Sequence, residues 1–117
     1  MRIPGAERAV IAPEELRDYL LDESHDVGQP KARFFARLGY DRENWQQLGA
    51  DLRNQHLILD SAREVPSTWG RRFILEALLT GPVSGGLVRS VWEIGHGQEV
   101  PRLITAYPIG HDDIETA

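Results

Sequence analysis

Five side chains of this sequence could transfer protons or hold a phosphate group: His25, Lys31, Arg89, Thr105 and Tyr107. Histidine titrates near neutral pH, arginine offers parallel N–H donors to a phosphate, the lysine ammonium has three donors, and the two hydroxyls have one each. Thr105 and Tyr107 are two residues apart, so on a strand they project from the same face. Each residue also has an ordinary explanation: a solvated histidine, a packed tyrosine, or an arginine paired with an acid across strands. Residue types and spacing therefore indicate candidates without choosing a reaction.

Other kinds of catalytic site find no support in the sequence. The absence of cysteine excludes thiol nucleophiles, iron–sulfur clusters and cysteine-ligated zinc. The histidines lack the paired spacing of a metal site, so we expect no metal and no cofactor. Residues 81–86 are rich in glycine, but they lack the lysine of a phosphate-binding loop and connect two predicted strands. No serine stands in a nucleophile-elbow context, which leaves acyl transfer unsupported.

The first half of the chain has helical periodicity and predicts three helices. Residues 13–21 begin with a proline and two acids, which suit the positive end of a helix. A second helix opens at Pro30 and ends before Gly39, a residue suited to a helix stop. A third runs from an Asp41 N-cap to about Asn54, with an apolar stripe that faces the core.

Lys31 has an unusual place in the second helix. It precedes Phe34, Phe35 and Leu38 by three, four and seven residues, so its stem starts on the apolar, core-facing stripe. It is also the single lysine among 13 cationic residues, the rest being arginine. The arginine excess reflects a composition bias, whereas the position of Lys31 makes it a candidate functional residue.

From Leu57 onward the pattern changes to strands. Four strands are predicted at residues 61–66, 68–79, 87–94 and 100–107, and the second has the clearest alternation, starting at Trp69. Short connections favour an antiparallel meander. The sequence therefore predicts an α+β fold, three N-terminal helices packed on a four-stranded antiparallel sheet, as one domain over residues 1–111 with an acidic tail at 112–117.

Charge and hydropathy narrow the classes of function. The net charge is −5, and three of the anions, Asp112, Asp113 and Glu115, lie in the tail, so the predicted domain is close to neutral. Counterion release would give such a domain little nonspecific affinity for nucleic acid, which argues against a DNA-coating role. No apolar run is long enough to span a membrane, so we expect a soluble protein with no membrane partner, and the cytoplasm as its location.

Several segments of the chain carry a resemblance to a known family. Together they extend over residues 9–109, and the closing Leu-Ile-Thr-Ala-Tyr-Pro is the most recognisable. They are Tyr19 to Leu21, His25, Lys31 to Tyr40, Gly81-Pro82, Val88 to Trp92, and Pro101 to Pro108. In these segments the chain resembles a bacterial family of small uncharacterised domains, found alone or at the end of polymorphic toxin and phage-related proteins. That family is similar to the metal-independent ribonuclease toxins of the barnase, EndoU, colicin and RelE type.

The resemblance implies a metal-independent endoribonuclease that cleaves RNA by attack of the 2′-hydroxyl. Such cleavage needs a base, an acid and donors that stabilise charge on the phosphate. The implied roles place Lys31 and Arg89 on the phosphate, with Thr105 orienting it. Tyr107 would act as acid or stack on a base, and His25 would transfer protons. The sequence departs from a histidine-pair nuclease, because no second histidine has a suitable position.

Two main functions from different classes stay open at this point, beside a weaker third one, a small-ligand domain that uses the groove between helices and sheet, for which the sequence shows no polar cluster. In the first, the domain is a toxin with RNA as substrate and a cognate antitoxin or immunity protein as partner. In the second, it is a nonenzymatic protein-binding module in which Lys31 and Arg89 only pair with acids. Convergence of Lys31, Arg89, Thr105 and Tyr107 within about 10 Å on one solvent-open concavity would favour the enzyme. Lys31 and Arg89 lying far apart, or salt-bridged inside the fold, would count against this site. The long second strand also leaves a homodimer open through edge pairing.

Overall fold

The computed structural model describes residues 1–24 and 29–110, and within them it forms three helices followed by a four-stranded antiparallel sheet. The strands pair in chain order, so the predicted α+β class and meander are confirmed. No helix in this described part is long and apolar enough to cross a membrane. The elements are α1 (Pro13–Glu15, continued by a π-helical turn at Leu16–Leu20), α2 (Gln29–Leu38), α3 (Trp45–Gln55), β1 (Arg63–Val65), β2 (Gly70–Thr80), β3 (Gly85–Gly95) and β4 (Arg102–Pro108).

Two predicted helix boundaries are confirmed by their local chemistry. α2 ends before Gly39, whose φ of 105° is a conformation that favours glycine. The Asp41 carboxylate accepts hydrogen bonds from the backbone amides of Glu43 and Asn44 at 2.9 and 3.1 Å. These bonds satisfy amides that have no partner inside the helix, so the chain enters α3 in a fixed direction through a short 3-10 turn.

The β2–β3 connection closes the C-terminal end of α2. The Leu38 carbonyl accepts from the backbone amides of Val83 and Ser84 at 2.9 and 3.3 Å, and the Ser84 hydroxyl donates to the Arg37 carbonyl at 2.8 Å. Carbonyls in the last turn of a helix need partners outside it, and the loop provides them. The connection therefore fixes α2 against the hairpin that carries β2 and β3.

Two local predictions differ from the structure. The first predicted helix is regular, whereas residues Leu16–Leu20 form a π-helical turn in which the Leu21 amide donates to the Leu16 carbonyl at 2.9 Å. The second predicted strand includes Trp69, but β2 begins at Gly70 and Trp69 is 70% exposed. Gly70 has a φ of 148°, which turns the chain at the strand start and takes Trp69 out of the alternation.

The core lies between the helices and one face of the sheet. Alternate residues of β2 and β3 point to this face and are fully buried, together with apolar residues of α2 and α3. The principal buried side chains are Phe35, Leu48, Leu52, Phe73, Leu75, Leu79, Val88 and Trp92. Because successive strand residues alternate, the other face of the sheet carries the intervening side chains.

One histidine belongs to this core. His56, at the end of α3, is fully buried, and its Nδ1 lies 2.7 Å from the Ser90 Oγ. The Trp92 indole N–H donates to the same oxygen at 2.9 Å. The contact suits a neutral imidazole, because the Ser90 hydroxyl can donate to an unprotonated Nδ1 or accept from a protonated one. Burial lowers the pKa of His56, against a smaller opposing effect of the Ala77 backbone.

We expect the stability of the fold to decrease below the ordinary histidine pKa of 6.5. There the unfolded chain binds a proton that the folded chain excludes, so the free energy of unfolding falls by at most about 1.4 kcal/mol per pH unit from this group. Urea unfolding at pH 8 and pH 5.5 measures the change. His56→Asn, whose amide can still bond Ser90, should lose most of this dependence, and an equal slope in both proteins would contradict the prediction.

Candidate functional site

The site lies on the sheet face opposite the helix-packed core. Arg89 is paired with Tyr107 in the β3–β4 register, and Val91 is paired with Thr105. Their neighbour Ser90 faces the core through His56, so these four residues face the other way. We call this surface the charged face; it carries Arg63, Arg72, Glu76, Arg89, Glu93, Arg102, Thr105 and Tyr107.

Lys31 reaches this surface from α2. Its Nζ donates hydrogen bonds to the Tyr19 hydroxyl at 2.8 Å and to the Thr105 Oγ1 at 3.3 Å. The ammonium also lies 4.8 Å from the Tyr19 ring centroid and 5.8 Å from that of Tyr107, within the range of cation–π attraction. The predicted start of the lysine stem on the inner side of α2 explains how the side chain arrives at β4.

Arg89 approaches Tyr107 from the other side. Its Nη1 donates to the Tyr107 hydroxyl at 3.2 Å, and its guanidinium carbon lies 5.5 Å from the ring centroid. Lys31 and Arg89 thus contact the same aromatic ring. Because Arg89 donates to the tyrosine oxygen, the hydroxyl hydrogen of Tyr107 points elsewhere and is available to an acceptor.

Arg89 also makes the ion pair that its strand position predicts. Its Nη2 lies 3.0 Å from the Glu76 carboxylate, which Arg63 contacts at the same distance. Burial would raise the pKa of Glu76, but the hydrogen bonds from Arg89 and Arg63 outweigh it and lower the pKa. The hydrogen bonds to Tyr107 and Glu76 raise the pKa of Arg89, which keeps the guanidinium charged.

A continuous polar network therefore crosses the whole sheet. It links residues of all four strands to α2 and to the π-helical turn, and we call it the cross-sheet network: Arg63, Glu76, Arg89, Tyr107, Thr105, Lys31 and Tyr19. Four of the five predicted site residues belong to it. The fifth, His25, lies outside the residues that the structure describes.

The charged face is positive although the chain is acidic. With Lys31 it has five cations, while its strands contribute two carboxylates, Glu76 and Glu93, each already paired with arginine. Within residues 1–24 and 29–110, Lys31 forms no ion pair. Two of its three ammonium hydrogens go to neutral hydroxyls, so its charge and one hydrogen remain for an anion.

Two residues of this region were not identified as candidates from the sequence. Tyr19 was predicted as part of an apolar stripe, and its ring does pack against the core, but its hydroxyl accepts from Lys31. Glu15 was predicted as an acid at a helix start, yet its Oε2 is buried and accepts no hydrogen bond. The alternation of polar and apolar residues does not show whether the hydroxyl of a packed tyrosine makes a polar contact, or which acidic side chains are buried.

The described residues show no metal site, and a groove lies beside the cross-sheet network. No three His, Cys, Asp or Glu side chains of the described part are grouped so as to hold a metal ion. A groove of about 470 Å³ lies at the turn between β3 and β4, and it meets the charged face at Glu93 and Arg102. Lys31 and Arg89 do not line it, so the chemistry of the cross-sheet network is on open surface beside the groove.

Comparisons with known proteins agree with this architecture. The model of a family described as "Domain of unknown function (DUF6883)" matches residues 2–110. No curated protein matches the chain. Among solved structures, one chain of a "Contact-dependent growth inhibition toxin - immunity protein complex from Klebsiella pneumoniae 342" is similar, with a TM-score of 0.65 and 19% identity. The match covers 86% of this chain and 99% of that one, and at this identity it shows a shared fold.

Proposed function

We propose that this chain, which belongs to the DUF6883 family, is a toxin-type endoribonuclease that cleaves RNA without a metal ion. The observation that carries the proposal is the convergence of Lys31 and Arg89 on the ring of Tyr107, beside Thr105. Two fixed cations and two hydroxyl donors on one surface can supply the charge stabilisation and the acid that 2′-hydroxyl attack on a phosphodiester requires. The similar fold in a toxin–immunity complex supports the toxin class.

Each residue of the site has a defined part in this reaction. The ammonium of Lys31 and the guanidinium of Arg89 stabilise charge on the phosphate, and Thr105 donates a hydrogen bond that orients it. The RNA 2′-oxygen forms a bond to phosphorus while the bond to the 5′-oxygen breaks. Tyr107, whose hydrogen is not used by Arg89, protonates the departing 5′-oxygen. His25 stays a predicted proton-transfer residue on sequence grounds.

The charge distribution supports RNA as a locally bound substrate. The chain as a whole has a net charge of −5 and would repel a polyanion at long range. The excess of cations on the charged face permits a few phosphate contacts there. We therefore propose a structured or ribosome-bound RNA of the cytoplasm, recognised over a short segment, rather than any exposed RNA.

A cognate immunity protein or antitoxin would inhibit such an enzyme by covering the charged face. An acidic surface on that partner would pair with the cations left free by Glu76 and Glu93, chiefly Lys31 and Arg102. The solved complex of similar fold contains an immunity protein, which supports a partner of this kind. The partner would then compete directly with RNA for Lys31.

The pairing of Arg89 with Glu76 favours a second candidate, a nonenzymatic protein-binding module. The Arg89 side chain is only 19% exposed, and a guanidinium engaged by a carboxylate has fewer donors for phosphate. In that case the charged face would bind a protein and no RNA would be cut. Within the described part of the chain no carboxylate lies at ion-pair distance from Lys31, and this observation places the enzyme first.

Metal-free RNA cleavage tests the proposal. We expect the purified protein, with EDTA present, to cut cellular RNA into fragments that end in a 2′,3′-cyclic phosphate and a 5′-hydroxyl, and to leave DNA intact because it lacks the attacking hydroxyl. End-group analysis of the fragments is the measurement. Absence of cleavage across transfer, ribosomal and ribosome-bound messenger RNA would contradict it and favour the binding module.

A further inference from the structure

We propose that the Glu15 carboxylate is the base that accepts the 2′-hydroxyl proton of RNA bound beside Lys31. This inference rests on the function proposed above and adds the proton acceptor that the described residues of the cross-sheet network otherwise lack. The network offers ammonium, guanidinium and hydroxyl groups, and its one carboxylate, Glu76, is held by two arginines. Glu15 was not among the candidates predicted from the sequence.

The first support is an unused buried oxygen. The Oε2 atom of Glu15 is shielded from solvent and makes no hydrogen bond. An ionised oxygen in such a position costs free energy, and native structures hold few of them without a purpose. Glu15 as a whole is only half-buried, so a turn of its carboxyl group toward the surface would let a substrate hydroxyl supply the missing donor.

The second support is the position of Glu15 next to Lys31. Glu15 ends the α-helical turn of α1, and Tyr19 lies in the π-helical turn that follows, about one turn further on and on the same side. Tyr19 accepts a hydrogen bond from Lys31. π-Helical turns are rare and occur often at functional sites, since they displace side chains from regular helical positions.

The third support is the electrostatic setting. Burial raises the pKa of Glu15, while Arg102 on β4 and Lys31 on α2 partly oppose it. These two cations are the charged groups that act on the carboxyl. They favour the ionised form, and the loss of solvation makes that form a stronger base than an exposed glutamate.

The proposed step balances in atoms and charge. The Glu15 oxygen takes the proton from the 2′-hydroxyl as the 2′-oxygen bonds to phosphorus, and the 5′-oxygen leaves with a proton from Tyr107. Lys31 stays protonated next to the phosphate, so attraction to both Glu15 and the phosphate holds the reacting groups together. Hydrolysis of the cyclic phosphate is not required for this step.

The test compares Glu15→Gln with Glu14→Gln, a neighbouring exposed glutamate. Glutamine keeps the shape of the side chain and removes the base. We expect kcat for metal-free RNA cleavage to fall by about 100-fold or more in Glu15→Gln and to change less than about 3-fold in the control. Affinity for an oligonucleotide with a 2′-deoxy sugar at the cut site should stay unchanged, because binding does not use the base.

The pH profile gives a second readout. In the unaltered protein the rate should decrease tenfold per pH unit below the pKa of Glu15, and this acidic limb should vanish in Glu15→Gln but persist in His25→Gln. An acidic limb that persists in Glu15→Gln and vanishes in His25→Gln overturns the inference. So does a Glu15→Gln protein that has lost oligonucleotide affinity or thermal stability, because Glu15 would then act through structure.

Failure of the two proposals can be told apart. If the unaltered protein cleaves RNA and Glu15→Gln cleaves it equally well, the ribonuclease function stands and Glu15 is not the base. If the unaltered protein cleaves no RNA, both proposals fall together.

Discussion

Expression of this protein should arrest growth, and replacing Lys31 by alanine should relieve that arrest and slow RNA cleavage by about 100-fold or more. Removal of one preorganised donor to a developing oxyanion has a cost of this size in other enzymes. In the described part of the chain no carboxylate lies at ion-pair distance from the ammonium, and Glu15 acts on it only at longer range, so its charge is available to the phosphate. Growth curves and single-turnover cleavage with EDTA present measure the two effects.

The matched control for this prediction is Arg33→Ala. Arg33 stands two residues further along α2, carries the same charge and is exposed. A general loss of positive charge would affect both variants alike, whereas a specific phosphate contact affects Lys31→Ala only. Both proteins should melt close to the unaltered protein, since the bonds lost from Lys31 go to hydroxyls that water can solvate. Undiminished toxicity of Lys31→Ala would remove Lys31 from the mechanism.

A large loss of stability is expected from Gly81→Ala. A Cβ on Gly81 would lie 2.4 Å from the Leu38 carbonyl oxygen and 2.9 Å from the Tyr40 ring. Both neighbours are fixed: the carbonyl by the amides of Val83 and Ser84, and the ring by the core. The loop must move away from the end of α2, at a cost of about 2–3 kcal/mol. We expect the melting temperature to fall by roughly 10 °C.

Gly95→Ala is the control for this substitution. A Cβ there would meet the Gln98 side chain at 3.3 Å, and that exposed, flexible chain can move aside. The change in the free energy of unfolding should stay within about 0.5 kcal/mol. Equal destabilisation by the two alanines would show that glycine flexibility, and not close packing on α2, accounts for the effect of Gly81→Ala.

Local signals predicted most of the fold. Asp41 and Gly39 mark helix ends because their own backbone and side-chain chemistry decides the boundary. The strands follow from alternation, and the short connections decide their antiparallel order. The prediction that Trp69 belongs to the second strand was wrong. The positive φ of the following Gly70 ends the alternation, and a pattern of residue types does not show a backbone angle.

The candidate site could be predicted only in part. Thr105 and Tyr107 share a strand face by simple alternation, but the partners of Arg89 depend on the register of β2 against β3. Glu76 stands opposite Arg89 in that register, and nothing near either residue in the sequence selects the other. A role for Glu15 is harder to predict from the sequence, because its buried oxygen and its neighbouring cations depend on elements distant in the chain.

The order of the site residues along the chain has a consequence for synthesis. Glu15, Tyr19 and Lys31 leave the ribosome early, whereas Thr105 and Tyr107 follow on the last strand. Val10 also forms a parallel β-bridge with Arg102 of β4, so a residue near the start of the fold is hydrogen-bonded to its last strand. A nascent chain without β4 lacks the hydroxyls of Thr105 and Tyr107, and it lacks the Tyr107 ring that Lys31 and Arg89 both contact. If the chain cleaves RNA as proposed, its active site is therefore assembled only when synthesis of the domain is nearly complete.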